Sequence, residues 1–338
     1  MWSEVHWLAQ LRQRLVAQDS SVDLQDDAAW LLQPNGGWLV TSTDMLVEGT
    51  HFKLGESVHE WSTPEDIGWK AAAVSLSDLA ACGAVPTGLL LALGVPCDAD
   101  ATMVNRLYDG LFACLEAYEV PLLGGDTVAA PQWTLTSTVL GTVAEGHPKA
   151  HRTLAKPNDV VAVCGWHGLS AVGLHAIQQG IEGFDEAKAA HKRPSPLLKE
   201  AQAICNATPR LALMDTSDGL ADAALKIAAA SGVTITLDFE VIPIHPELQA
   251  FANTQEDPQG FLSHTLLYGG EDFGLMACMP PEIVLPQGWT LIGSVEARRL
   301  TNDDNGSAFV VFPDETVEPL CSDKTYQHFT TPVPEGSL

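Results

Sequence analysis

Two stretches of this chain place an acidic residue directly after a pair of glycines. "LLGGDT" carries Gly125 and Asp126, and "YGGEDFGL" carries Glu271 and Asp272. Glycine lets backbone N–H groups approach a phosphate closely, and a neighbouring carboxylate can hold a divalent cation. A tight turn is the alternative interpretation, because Gly and Asp dominate turns for conformational reasons. The repetition of the pattern favours phosphate chemistry.

Further aspartates lie among small or hydroxyl-bearing residues, at positions that the pattern predicts to be element ends or, for Asp78, a helix. Hard cations such as Mg²⁺ prefer oxygen ligands of this type. Each aspartate alone could instead cap a helix or end a strand in a turn. Asp78 is harder to explain in that way, because a carboxylate in an Ala-rich helix is rarely buried without a partner. The candidates for one polynuclear metal site are Asp26, Asp27, Asp44, Asp78, Asp126, Asp215 and Asp218.

Two basic or titratable residues could join this site. His51 follows Asp44 by seven residues, although a lone histidine is more often structural. Arg152 is the best-placed arginine to contact a phosphate, and a solvated linker arginine is the alternative. The chain has no GxxxxGK[ST], no kinase-type glycine loop and no GxGxxG after a strand. Phosphate charge would therefore have to be neutralised mainly by metal ions.

Composition restricts the class of protein. The 338 residues include 43 acidic and 17 basic side chains, a formal net charge of −26, which argues against nucleic-acid binding. No apolar stretch reaches the length of a membrane span, and the N-terminus lacks the order of a signal peptide, so a cytoplasmic protein without a membrane partner is expected. The seven cysteines form no CxxC and predict neither a disulfide framework nor a zinc site.

Hydrophobic periodicity predicts α/β layers in both halves of the chain. Helices are predicted over residues 2–18, from Pro64 to a cap at Gly83, over 100–118 and over 196–206. Strands are predicted for "GGWLVTSTDML", ending near Asp44, for "TGLLLALGVP", for "WTLTSTVLGTVA", and for "VPLLGGD", which is predicted to run into a loop. The basic stretch "GHPKAHRTLAKPND" suggests a boundary between domains 1–148 and 149–338.

The motifs together resemble a known family. "TSTDMLVEGTHF", "KAAAVSLSDLAACGAVP", "LLGGDT", "DTSDGL" and "GGEDFGL" occur in the order and approximate spacing found in thiamine-monophosphate kinases, of the AIR synthetase-like superfamily. The resemblance implies a two-domain α/β (α+β) fold, with an N-terminal mixed sheet that forms a homodimer interface and a C-terminal α/β domain. It also implies ATP-dependent conversion of thiamine monophosphate to thiamine diphosphate, assisted by several Mg²⁺ ions.

The resemblance further implies roles for single residues. The expected Mg²⁺ ligands are Asp27, Ser42, Thr43, Asp44, Asp78, Asp126, Asp215 and Asp218. The residues expected at ATP are Gly125, Asp126, Arg152, Ser217 and Tyr108. The residues expected at thiamine monophosphate are His51, Glu271 and Tyr326, and those expected to act directly in catalysis are Asp44, Asp126 and Asp218.

The sequence departs from the family pattern at Gln25, where Gly is usual, and at Phe273 and Gly274, where Tyr and Glu are usual. Three alternatives remain. An AIR synthetase would close a ring using ATP, and a selenophosphate synthetase would need a reactive Cys or selenocysteine and a Lys near its N-terminus, yet no Cys or Lys precedes Lys53. A non-catalytic protein stabilised by Mg²⁺ or Ca²⁺ would bind the cation without nucleotide.

Overall fold

A computed structural model describes residues 7, 10–14, 26–54, 61–298 and 307–326. Residues 7 and 10–14 are helical, within the predicted helix 2–18, whose other residues lie outside the described part. The departure at Gln25 also lies outside it. No helix among the described residues is long and apolar enough to cross a membrane.

The N-terminal half forms a five-stranded mixed sheet in the order β1-β2-β5-β3-β4. β3 and β4 are parallel, and the other neighbouring strands are antiparallel. The strands are β1 (Ala29–Leu32), β2 (Trp38–Val47), β3 (Val85–Val95), β4 (Leu122–Ala129) and β5 (Thr134–Val143). One face of this sheet is covered by helices α1 (Pro64–Ala81) and α2 (Ala101–Ala117).

Helix α1 carries several of the polar side chains that form the candidate site. It begins with a capping box, in which Thr63 Oγ1 accepts from the Asp66 N–H and an Asp66 oxygen accepts from the Thr63 N–H, both at 3.1 Å. Pro64 suits the first helical position, and Gly83 follows the helix with φ of +62°. The helix is buried on almost every side because it packs on β2 and β5 and also contacts the C-terminal half.

The C-terminal half forms a seven-stranded mixed sheet in the order β12-β11-β8-β10-β6-β9-β7. Its strands are β6 (Val160–Cys164), β7 (Ala212–Asp215), β8 (Val233–Asp238), β9 (Leu275–Met279), β10 (Trp289–Ala297), β11 (Ser307–Val311) and β12 (Val317–Pro319). Its helices are α3 (Leu169–Gln179), α4 (Asp185–Lys192), α5 (Leu198–Ala207), α6 (Leu220–Ser231), α7 (Pro246–Ala252) and α8 (Pro258–Tyr268).

The two halves share a hydrophobic core. Alternate residues of β6 face opposite sides, so that Val161 and Val163 pack under α3 and α6, whereas Ala162 and Cys164 belong to the cluster that contains α1. Leu213 and Leu275 from the C-terminal sheet lie in that same cluster. Residues of both sheets are therefore buried against one continuous apolar region.

The predicted mixed α/β fold is confirmed, with two local corrections. "LLGGD" does not run into a loop, because β4 continues to Ala129 with Gly125 and Asp126 inside the strand. Asp44 likewise lies inside β2 rather than at its end. Helices α4, α7 and α8 were not predicted from the pattern. The use of the N-terminal sheet as a dimer interface stays a prediction.

Candidate metal and phosphate site

Three carboxylates from different elements meet at the junction of the two halves. Asp27 precedes β1, Asp78 lies in the last turns of α1, and Asp215 ends β7. One oxygen from each lies within 4.8 Å of the others. We call Asp27, Asp78 and Asp215 the aspartate trio. Its members come from both sheets and from the helix between them, so the site exists only when the halves are packed together.

The trio has the chemistry of a hard-cation site. Asp27 Oδ2 is buried and has no hydrogen-bond partner among the residues that the structure describes. A buried carboxylate oxygen without a partner is costly, and Mg²⁺ takes carboxylate oxygens together with water and phosphate oxygens. The donor set and the unpartnered oxygen therefore fit a divalent cation.

Serine hydroxyls orient the carboxylates. Ser77 Oγ donates to Asp215 at 2.7 Å and Ser217 Oγ donates to its other oxygen at 3.0 Å. Ser42 Oγ donates to Asp78 and lies 3.2 Å from the Asp27 carbonyl oxygen. Because these bonds hold each side chain in one orientation, they fix where the remaining oxygens point.

Asp44 extends the site along β2. It lies on the same face of the sheet as Ser42, and Ser75 Oγ of α1 donates to it at 2.8 Å. Sequence reasoning did not single out Ser75 or Ser77. Their signal was present, since two hydroxyl-bearing residues precede Asp78 in the otherwise apolar "AVSLSDLAA".

Burial raises the pKa of every carboxyl in this group. It raises the pKa of Asp27 to about 6 and that of Asp215 to about 7. Burial, and then the charges of Asp44 and Asp215, raise the pKa of Asp78 well above its usual range, and burial also raises the pKa of Asp44. Several carboxyl groups are thus buried close together, and a bound cation would reverse the shifts in their pKa values.

Arg152 reaches the trio from the segment that joins the two halves. It lies in a short 3₁₀ helix, Arg152–Leu154, and its Nη2 is 2.6 Å from Asp27 Oδ1. Its Nε is buried and lies 3.7 Å from Asp26 Oδ1. Asp26 is itself fixed, because Trp30 Nε1 donates to it at 2.7 Å. The guanidinium therefore lies beside the trio, held by two adjacent carboxylates.

A lysine side chain faces the turn between β7 and α6. Lys226 Nζ lies 3.1 Å from Asp218 and 2.6 Å from Asp222. Although burial opposes it, the charges of these two aspartates raise the pKa of Lys226. Asp218 is therefore paired with an ammonium group at the edge of the site, and sequence reasoning did not identify that lysine.

Other predicted site residues lie apart from the trio. Thr43 lies on the face of β2 opposite to that of Ser42 and Asp44, and its Oγ1 donates to the Ser137 carbonyl at 3.1 Å. Asp126 is exposed on the edge strand β4, and its cross-strand neighbour Ala92 is exposed too. Tyr108 is half-buried on α2, with its ring 6.0 Å from that of Phe112. The roles proposed for these residues stay predictions.

Gly125 is a place where only glycine fits. It pairs with Leu91 of β3, and a Cβ on Gly125 would lie 1.7 Å from the Leu91 carbonyl oxygen. The second glycine of the pair is therefore required by the close approach of two strands, whereas a Cβ on Gly124 would meet only Leu90 Cδ2 at 3.8 Å. Asp126 follows on the exposed edge strand.

Glu271 occupies the second Gly-Gly-acid stretch, which is a loop between α8 and β9. Its Oε2 is 3.0 Å from Lys70 Nζ and 3.3 Å from His191 Nδ1. Although burial raises it, the pKa of Glu271 is lowered, chiefly by the charge of Lys70 and to a smaller extent by His51. His51 and Glu271, predicted at one substrate, thus lie within electrostatic range of each other.

The neighbouring Asp272 has a structural role. Its two oxygens accept from the N–H groups of Gly168 and Ser170, at 2.5 and 2.8 Å, at the start of α3. Burial raises its pKa to about 7. Tyr326, the third residue predicted at the substrate, follows a 3₁₀ helix near the end of the described chain and is 53% exposed.

Comparison with known proteins agrees with these observations. Models for the N-terminal and C-terminal domains of AIR synthase related proteins match residues 25–143 and 156–285. The thiamine-monophosphate kinase of Synechococcus elongatus is 38% identical and covers 90% of this chain and 91% of its own length. That of Bacillus subtilis is 37% identical, with 78% and 79% covered. The solved structure of AaThiL complexed with AMPPCP and TMP has a TM-score of 0.82 and 28% identity over 97% of each chain.

Proposed function

The chain belongs to the thiamine-monophosphate kinase family of AIR synthase related proteins, and from this we propose that it transfers the terminal phosphoryl group of ATP to thiamine monophosphate. The products are ADP and thiamine diphosphate. The AaThiL complex with AMPPCP and TMP supports both substrates, because AMPPCP is a non-hydrolysable ATP analogue.

The observation that carries the proposal is the aspartate trio, with its unpartnered Asp27 oxygen. Transfer between two phosphates brings anions together, so the main task of the protein is positioning and charge compensation. The trio and Asp44 would hold Mg²⁺, which when bound neutralises phosphate oxygens and the charge that develops during in-line transfer. This accounts for a site rich in carboxylates.

The chain's own groups orient the substrates. The acceptor is a phosphate oxygen, already ionised near neutral pH, so no side chain has to remove a proton from it. Arg152 lies at the trio with an Nε that makes no hydrogen bond among the described residues, and it would contact an ATP phosphate together with Ser217. Glu271 and His51 would contact thiamine monophosphate. Catalytic roles for Asp44, Asp126 and Asp218 remain part of the proposal.

The test is product analysis by chromatography after incubation with Mg·ATP and thiamine monophosphate. The wild-type protein should form thiamine diphosphate and ADP in equal amounts. Asp78→Asn should lose most of this activity, because it removes a charge from the trio. Asp314→Asn is the matched control, since Asp314 is exposed and its Oδ1 accepts from Thr316 N–H in a hairpin of the C-terminal sheet, away from the trio.

The outcomes separate the alternatives. Absence of thiamine diphosphate from a folded wild-type preparation would reject the proposal, and ring-closing and hydrolytic reactions would then be tested. A protein in which the cation is only structural would bind Mn²⁺ equally well with and without ATP. A phosphotransfer site should bind it more tightly with ATP, because phosphate oxygens complete the coordination.

We further propose a homodimer formed through the N-terminal sheet. The face of this sheet opposite α1 exposes Met45, Val85, Leu90 and Val128, each more than a third exposed. An apolar face of this kind marks an interaction surface. We also propose that the protein is cytoplasmic and that the chain divides into domains 1–148 and 149–338.

A further inference from the structure

Lys70 is a buried amine that crosses the junction between the two halves. It lies on α1 and is 2% exposed, and its Nζ is 3.0 Å from Glu271 Oε2 in the C-terminal half. A lysine is almost never fully buried unless its charge is paired. Neither the Mg²⁺ site nor the ATP contacts proposed above make use of it.

The loop that Lys70 contacts is held in an unusual conformation. Glu271 has a φ of +63°, a left-handed region that a residue with a Cβ rarely adopts. Its N–H donates to the Ser217 carbonyl at 2.6 Å, and Thr216 N–H donates to the Gly274 carbonyl at 2.9 Å. The loop is thereby attached to the turn that carries Asp215 and Asp218.

Lys70 supplies the main permanent charge at this carboxylate. Burial, and then the charge of Lys70, lower the pKa of His191 to about 3, so this histidine is neutral near pH 7. Its Nδ1 lies 3.0 Å from Ser170 Oγ, which fixes the ring. His51, in the loop after β2, also lowers the pKa of Glu271 through its charge. Lys192 lies near His191 on the same helix.

A gain in folding stability does not by itself explain the buried ion pair between Lys70 and Glu271. Removing two charges from water is expensive, and apolar residues of similar size often give an equally stable protein. What an ion pair provides is a fixed geometry. The Glu271 side chain remains 32% exposed while its Oε2 accepts from Lys70 and lies 3.3 Å from His191 Nδ1, so a ligand can still reach the carboxylate.

We propose that Lys70 is a positioning residue that holds the Glu271 carboxylate, from the opposite half of the protein, in the orientation that receives thiamine monophosphate. This inference rests on the proposed function. A carboxylate accepts hydrogen bonds from an exocyclic amine and attracts a cationic ring, and thiamine carries both groups. Lys70 acts through Glu271 and does not itself contact the substrate.

The test measures KM for each substrate separately in Lys70→Met, Lys70→Arg and Lys199→Met. Loss of the positioning contact should raise the KM for thiamine monophosphate about tenfold in Lys70→Met and leave the KM for ATP within about twofold. Lys70→Arg should restore part of the loss because it keeps the charge. Lys199 is exposed on α5, so Lys199→Met should behave as wild type. Equal increases in both KM values, or none, would overturn the inference.

A double-mutant cycle covers the case in which Lys70→Met fails to fold. Lys70→Met combined with Glu271→Gln has no unpaired buried charge, and it is compared with Glu271→Gln alone. If Lys70 acts only through Glu271, adding Lys70→Met causes no further rise in the KM for thiamine monophosphate. A further rise would show that Lys70 acts elsewhere and would refute the inference.

A second readout separates this inference from the proposed function. Hydrogen exchange of residues 269–274 reports whether the loop is held, whatever reaction the enzyme performs. Loss of protection there in Lys70→Met, with Lys199→Met unchanged, supports the positioning role even if the wild-type protein makes no thiamine diphosphate. Unchanged protection in Lys70→Met overturns it.

Discussion

Ser77 Oγ donates a 2.7 Å hydrogen bond to Asp215 across the junction between the two halves of the protein. Ser77 is followed directly by Asp78, which accepts from Ser42 of β2. Adjacent residues of one helix therefore contact both sheets. The spacing of the trio is set by the position of α1, because a shift of this helix would move Asp78 and release Asp215 together.

We expect Ser77→Ala to lower kcat/KM about tenfold, since a hydrogen bond to a charged group contributes about 1.5–3 kcal/mol. The loss should appear mainly as a higher Mg²⁺ concentration for half-maximal rate, because Asp215 would no longer be held in one orientation. The matched control is Ser263→Ala on α8, whose hydroxyl donates only to the Gly260 carbonyl. An unchanged Mg²⁺ dependence in Ser77→Ala would contradict the assignment of Asp215 to the cation.

Removal of divalent cations should lower the melting temperature. The trio concentrates carboxylates at which burial raises the pKa, and a cation that binds only the folded protein stabilises it. At a concentration of about a hundred times Kd, the gain is about 2.7 kcal/mol. Scanning calorimetry with Mg²⁺ and with a chelator measures the difference, which should shrink in Asp78→Asn but not in Asp314→Asn. Identical melting curves with Mg²⁺ and chelator would argue against a cation at the trio.

Gly125→Ala tests why the first double glycine is present. The added methyl would meet the Leu91 carbonyl oxygen at 1.7 Å, so β4 must move away from β3. Overpacking of this kind costs about 1–3 kcal/mol, measurable by urea unfolding. Thr127→Ala, two residues along the same exposed strand, should be nearly neutral. A Gly125→Ala protein as stable as wild type would show that the strands can separate at no cost.

His167 should make the protein less stable in acid. Burial lowers the pKa of His167 from 6.5 to about 4, so the ring is neutral in the folded state. Its contribution to the free energy of unfolding, about 3 kcal/mol, is fully present above pH 6.5 and is lost as the pH falls towards 4. Both ring nitrogens lack a hydrogen-bond partner among the described residues. His167→Leu should therefore flatten the dependence of melting temperature on pH over this interval, whereas His147→Leu, at an exposed site, should not. An equally steep dependence in His167→Leu would be the contrary result.

The proposed dimer can be broken at one residue. Met45 is 54% exposed near the middle of the outer face of the N-terminal sheet. Light scattering should give about twice the 36.1 kDa chain mass for wild type and the chain mass for Met45→Glu, because a buried unpaired carboxylate is expensive. Val284→Glu replaces a residue that is 87% exposed in the C-terminal half and should leave the mass unchanged. A monomeric wild type would exclude the dimer.

Sequence reasoning identified the fold class because it depends on local patterns. It named the three members of the trio among seven candidate aspartates, but it did not predict which of the seven would meet. It predicted a loop at Asp126 because the ladder between β4 and β3 is a contact between distant segments, which glycines alone do not reveal. The same Gly-Gly-acid pattern at Glu271 is a loop. Similar local patterns thus adopt different structures according to whether a neighbouring strand is available.

Lys70, which sequence reasoning missed, carries the same signal as Asp78. Lys70, like Asp78, is a charged side chain in an Ala-rich helix that is buried on almost every side. The argument that made Asp78 a candidate applied equally to Lys70. Its partner could not be predicted, since Glu271 is 201 residues away along the chain.

The shared core has a consequence for how this chain folds. Leu76 and Leu79 of α1 belong to the same buried cluster as Leu213 and Met279 of the C-terminal sheet. Neither half can therefore bury all of its apolar surface without the other. The halves should therefore melt in a single cooperative transition. During synthesis, the N-terminal half would expose apolar surface until the rest of the chain left the ribosome. During that interval it would depend on chaperones.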